Sequence, residues 1–207
     1  MLDLVEVTAP TKTGIDVVAV EEFASHLRLS PTLRTNAVWI ANMTAAINEA
    51  VDSIDARRGT LNRTILPRTW KRSLDRFPKS GCPILLPFPD LISVEAITIE
   101  DGSSPVNDLD LSAYRVKPAL VPEIYPTSTW PDVATGVRIS ITYKAGFTEF
   151  PPMLKRLVKI LAAHYMENPE ATINEPRQMA VNRKVDFGVD DITQQLRIPV
   201  SYDDWGE

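Results

Sequence analysis

Thr69-Trp70-Lys71-Arg72-Ser73-Leu74-Asp75-Arg76-Phe77-Pro78, followed by Ile84-Leu85-Leu86-Pro87-Phe88-Pro89, marks where this 207-residue chain stops reading as helix and starts reading as sheet. Side chains alternate across a strand, so Leu66, Trp70 and Leu74 share one face while Thr69, Lys71, Ser73 and Asp75 take the other. Trp70 is therefore expected in a core. Pro83, Pro87 and Pro89 bracket the second apolar run, and proline offers no ladder donor, so that run is not a central strand throughout.

Upstream the period is helical. Val20, Phe23, Ala24 and Leu27 form the stripe of a short amphipathic helix that Pro31 ends. Asn36 to Arg58 reads as a long helix with Ile40, Met43, Ile47, Ala50, Val51 and Ile54 on its apolar face and Gly59 as its stop. Downstream, Leu91 to Glu100 is a strand closed by Asp101 and Gly102, with Tyr114 to Lys117 as a candidate hairpin partner. Val137, Ile139, Ile141 and Tyr143 alternate with Arg138, Ser140, Thr142 and Lys144, which predicts a strand with one buried face. Pro151 and Pro152 open a last strong helix striped by Leu154, Leu157, Val158, Leu161 and Tyr165.

The expected fold class is α+β: a small antiparallel helical bundle with an inserted β-rich block and an extended C-terminal tail. The boundaries read as an N-terminal arm over 1–19, a helical part over 20–63, a β-rich insertion over 64–147, a completing helix over 148–169 and a tail over 170–207. The tail is polar and broken by Pro176 and Pro199, with at most a short helix near Asp190 to Arg197, so the body is expected to fold without it.

Composition places the chain among globular proteins, with 44% hydrophobic and 24% charged residues. No apolar run approaches the length of a membrane span, and the N-terminus lacks the layout of a secretory signal, so synthesis in the cytoplasm is expected. The net charge of −5 argues against nonspecific nucleic-acid binding by the chain as a whole. Charge is nevertheless uneven. Arg57, Arg58, Arg63, Arg68, Lys71, Arg72, Arg76 and Lys79 face a single acid, Asp75, in that stretch. Taking eight and one from totals of 22 and 27 leaves 14 basic and 26 acidic residues elsewhere. Such a bipolar chain suits contacts between copies, and the basic segment is the candidate subunit-interface or DNA-facing surface.

Catalytic chemistry finds no constellation. His26 and His164 sit on separate predicted helices, and His164 with Glu167 is a two-ligand pattern too small to define a metal site. Cys82 is the sole cysteine, which excludes an intramolecular disulfide. Asp190 with Asp191 and Asp203 with Asp204 lack the glycine-containing cadence of a calcium loop. No phosphate-binding or dinucleotide loop occurs. No enzyme activity, cofactor or metal is expected, and a small hydrolase is the weakest of the readings considered.

Val20 to Leu29 (VEEFASHLRL), the long helix to Gly59, Thr69 to Pro78, Ile84 to Pro89, Trp130 with Pro131, Tyr143 to Phe147 and the helix after Pro152 occur in an order that resembles the tailed-phage head-tail connector family. These adaptor, or head completion, proteins are also found in gene transfer agents and prophages. The matching pieces cover most of residues 15–170, and Ile192 to Ile198 (ITQQLRI) is a looser counterpart of the family's closing helix. The resemblance implies a noncatalytic protein at the head-tail junction of a virion or phage-like particle, assembled in the bacterial cytoplasm. It implies a twelvefold ring of copies under the portal protein, a tail-side connector or stopper protein as the next partner, and DNA passing through the channel without sequence-specific binding. No membrane partner is implied. Portal docking falls to Ile192, Leu196, Arg197, Ile198, Tyr202 and Trp205. The alternative is a DNA-packaging accessory protein that contacts DNA through residues 57–79.

Overall fold

The computed structural model describes residues 3–79, 81–100, 107–134, 136–168 and 189–198. Helices and antiparallel sheets combine in one α+β chain, as the change of period at Thr69 predicts. Two compact units partition it. One is drawn from residues 3–11 and Leu66–Thr148, the other from Lys12–Ile65 and the described residues of Glu149–Ile198.

The helical unit is built on one long helix. Its elements are α1 (Gly14–Val17), α2 (Val20–His26), α3 (Pro31–Arg34), α4 (Ala37–Ile54) and α5 (Pro152–Glu167), followed by a helical turn over residues 189–196. α4 packs against α1, α2, α3 and α5. It starts where Asn36 Oδ1 accepts from the backbone N–H groups of Val38 and Trp39, two donors a helix start leaves open. Met43, Ala46, Ile47, Ala50, Val51 and Ile54 form its buried stripe. Leu154, Leu157, Val158 and Ala162 of α5 are buried too, and Glu22 ties α2 to α5 through Lys159 at 2.9 Å.

Three expectations change here. Pro31 does not simply end a helix: it sits at the first position of α3, where its missing N–H costs nothing. Ile40, expected in the core, is 38% exposed, so the buried stripe of α4 begins one turn later. α4 also ends at Ile54 rather than near Arg58, because Asp55 leaves the helix and its Oδ1 accepts from the Ile65 amide while Ala56 bridges to Arg63. Gly59 is required by that returning loop and not as a helix cap. A Cβ there would lie 2.1 Å from the Ile54 carbonyl carbon.

The β-rich unit holds two sheets. β1 (Asp3–Thr8), β2 (Arg68–Leu74), β8 (Arg138–Ala145), β4 (Leu91–Glu100) and β5 (Asn107–Asp108) form the larger, in the order β1-β2-β8-β4-β5, every pair antiparallel. β3 (Ile84–Leu85), β7 (Glu123–Pro126) and β6 (Tyr114–Lys117) form the smaller, in the order β3-β7-β6. Trp70 pairs with Tyr143, and Arg72 with Ile141, so the alternation in β2 meets the alternation in β8 face to face. Trp70 is 4% exposed and lies 4.6 Å from the Phe88 ring. Phe77, Trp130 and Tyr114 form a second aromatic stack, at 5.1 and 5.4 Å, fixed by the Trp130 Nε1 bond to the Cys82 carbonyl. The Phe77-Pro78 and Trp130-Pro131 pairs, far apart in sequence, thus meet in space.

Two sequence expectations fail in this unit. Residues 3–8, taken as part of an arm, form the outer strand of the large sheet; six residues with only Leu4 buried give too short an alternation to stand out. Tyr114–Lys117 is not the partner of β4. It pairs with β7 across a short connection that Lys117 and Glu123 close with a 3.0 Å ion pair, leaving β5 as the partner of Thr98 and Ile99. Gly146 ends β8 with φ +132°, and a Cβ there would meet Pro67 Cα at 2.7 Å, so the turn needs glycine on both counts.

Candidate assembly surfaces

The basic segment does not form one surface. Arg57 and Arg58 are exposed on the loop after α4, where the chain turns back toward Arg63. Arg63 Nη1 donates to the Leu196 carbonyl at 3.2 Å, so this arginine holds the C-terminal turn within the helical unit. In the β-rich unit Arg68 Nη1 pairs with Glu6 at 3.2 Å, fastening β1 to β2. Lys71 Nζ donates to Glu100 Oε1 at 2.6 Å, and Ser140 Oγ donates to the same oxygen at 3.0 Å. These two bonds hold the Glu100 carboxyl below the ordinary carboxylate range.

Arg72 departs most from expectation. It was grouped with the surface cations, but it is 5% exposed, and burial lowers its pKa while Tyr143 opposes that shift. The reason is visible in the register: Arg72 stands two residues from Trp70, hence on the same inward face. Of the eight basic residues in the segment, Arg57, Arg58, Arg76 and Lys79 are the exposed ones.

The C-terminal candidates divide as well. Ile192 and Leu196 are buried and Ile198 is 1% exposed, all within the helical unit, and the Ile198 amide donates to the Leu61 carbonyl at 3.1 Å. The spacing of Ile192 and Leu196 puts both on one face of the turn, while Arg197 points to solvent. The expectation that the body is complete without this segment is therefore corrected: the segment supplies part of the helical core. Tyr202 and Trp205 lie outside the described residues.

The remaining sequence candidates stay apart. His26 stacks on Phe23, with its pKa lowered by burial and by Lys159. His164 Nδ1 lies 3.3 Å from Asn168 Nδ2. Asp191 accepts from Gln195, and Cys82 is an exposed free thiol. Among the described residues no group of three or more His, Cys, Asp or Glu side chains is placed to hold a metal, and no helix is long and apolar enough to cross a membrane. An open groove of about 350 Å³ in the helical unit is lined by Ile15, Ala19, Val20, Ala24 and Ile40, with Glu21 and Arg34 at its polar positions.

One surface was not found from the sequence. Val5 and Val7 on β1 are 53% and 54% exposed, at an edge with no backbone partner among the described residues. The signal was present as Leu4 and Glu6 alternating with Val5 and Val7, but it spans a single short strand.

No protein-family model matches the chain, and no curated protein matches it. Solved structures do. The chain is similar to one in the neck of an empty gene transfer agent particle computed with C6 symmetry, at 24% identity and a TM-score of 0.71, over 96% of this chain and 97% of that one. It is similar to a chain in the virion of a native gene transfer agent particle, at 24% identity and a TM-score of 0.66, over 97% and 98%. A chain in the neck of the native particle, computed with C12 symmetry, matches at 23% identity and a TM-score of 0.62, over 98% of both. At these identities and coverages, what the chain shares with those neck and virion chains is its whole fold.

Proposed function

We propose that this protein is a structural, nonenzymatic ring component of the head-tail junction in a phage-like or gene transfer agent particle. The observation that carries the reading is the fold likeness to particle neck chains over nearly the full length of both partners. In this reading copies of the chain surround the DNA channel, one end meets the portal protein and the other a tail-side connector or stopper.

The segment proposed for portal docking narrows. Ile192, Leu196 and Ile198 are occupied within the helical unit, so docking rests on Arg197 and on Tyr202 and Trp205 beyond it. The DNA-packaging alternative is left with Arg57, Arg58, Arg76 and Lys79 as its exposed cations, because Arg68 and Lys71 are paired with Glu6 and Glu100 and Arg72 is buried. Deleting the gene tests the role. Electron microscopy of the deletion strain is expected to show filled heads without attached tails, restored by the full-length gene. Normal tailed particles from the deletion strain overturn the reading, and heads that fail to fill with DNA favour the packaging alternative.

A further inference from the structure

We infer that copies of this chain join edge to edge through the large sheet, with the outer edge of β1 in one copy pairing antiparallel with the uncovered part of β4 in the next. The inference rests on the ring reading above and names the surface that builds the ring.

A sheet's last strand carries N–H and C=O groups that point away from the sheet, and soluble proteins blunt such edges with lysine, proline or a covering segment. Within its sequence DLVEVT β1 has no lysine and no proline, and Val5 and Val7 are exposed together with Glu6 and Thr8, the register shifting between Glu6 and Thr8. At the opposite side β5 and Leu109 reach only Ile97–Ile99 of β4. Leu91–Ala96 has no outer backbone partner among the described residues, and Ile92 is 38% exposed there. Each open stretch is six residues long.

Direction decides between a ring and a closed pair. β1, β2, β8 and β4 alternate, so β1 and β4 run in opposite senses. Neighbours around a rotation axis keep nearly the same strand direction, and placing β1 of one beside β4 of the next therefore gives an antiparallel junction like every other in the sheet. That contact joins two different surfaces, so each copy keeps a free edge of each kind until the ring closes. A β1-to-β1 contact is self-complementary and stops at two copies.

Charge does not oppose the pairing. β4 and β5 carry Glu95, Glu100 and Asp108 and no Lys or Arg, and Glu100 is already paired with Lys71. Of the cations on β2, Arg68 and Lys71 are paired within the chain and Arg72 is buried. The two acids of β1 are themselves paired, Asp3 with Arg138 and Glu6 with Arg68, so no unpaired β1 carboxylate meets Glu95.

The test places Val7→Cys and Ile92→Cys in a full-length chain carrying Cys82→Ser, and treats purified particles with a flexible bis-maleimide. A ladder of covalent multiples extending beyond dimer is expected, and each single cysteine should abolish it. Dimers from Val7→Cys alone mark a β1-to-β1 contact and overturn the inference. Chain present in the particles but yielding no ladder sinks the pairing while sparing the head-tail reading; chain absent from the particles sinks both. Val5→Lys with Val7→Lys supplies the second arm. Both positions are exposed, so the purified variant should melt as wild type does, yet its content in particles should fall at least tenfold. Wild-type incorporation of that variant overturns the inference.

Discussion

In the helical unit, α4 finds cover on its own chain: α5 and the short helices pack on it, and its stripe from Met43 onward is buried. In the β-rich unit, the large sheet covers its middle strands and leaves the outer edges of β1 and of half of β4 without a backbone partner among the described residues. The difference follows from where each element puts its hydrogen bonds. A helix satisfies its backbone internally and needs only side-chain partners, whereas a strand always presents a second edge. An open sheet is thus an unfinished ladder, and the β-rich unit is the part of this protein fitted to be completed by another copy.

The contrast breaks first if the cores are not where the burial puts them. Trp70→Ala should destabilise the protein by about 3 to 5 kcal/mol, measured by denaturant unfolding, since the side chain is buried against Phe88 between β1 and β8. A loss under about 1 kcal/mol would mean the sheet face is not a packed core. Ile198→Ala probes the helical unit in the same way. It should cost about 2 to 4 kcal/mol, and removal of residues beyond Pro169 should cost more, because buried Ile192 and Leu196 are then lost with it.

Arg72 and Lys71 sharpen the comparison within a single strand. Arg72→Ala should cost about 1 to 3 kcal/mol, because it removes a long buried side chain from the inward face of β2. Lys71→Met should cost at most about 1 kcal/mol at neutral pH, since its pair with Glu100 is partly exposed. Its pH dependence carries a sign. Glu100 has a lowered folded-state pKa, so its contribution is complete above the ordinary carboxylate value of about 4.3 and disappears as pH falls through the folded value. Melting temperature against pH should therefore fall less steeply on the acid side for Lys71→Met than for wild type. The smallest effect belongs to Arg57→Ala and Arg58→Ala, expected within about 0.5 kcal/mol because both side chains are exposed.

Much of the architecture was legible before any coordinates. The 3.6-residue stripe from Met43 to Ile54 is long enough to declare itself, and so is the alternation from Val137 to Tyr143. Arg72 belongs by its chemistry to the surface, yet its position two residues from Trp70 puts it on the inward face, and position prevails. Residues 189–196 form the short helix that their sequence suggests, and what the sequence hides is that this helix is part of the core. A polar segment with three spaced apolar residues looks incapable of folding alone, and it does not fold alone: Arg63 and Leu61 hold it in place.

The sequence by itself determined which stretches are helix and which are strand, because those periods arise from backbone geometry acting over neighbouring residues. It also determined that no cluster of catalytic or metal-binding motifs recurs along the chain. Which strands adjoin, which charges are paired and which edge stays open were decided only by tertiary structure. Those properties depend on the register between segments as distant as Glu6 and Arg68 or Leu61 and Ile198, and no local pattern encodes a distance across the fold.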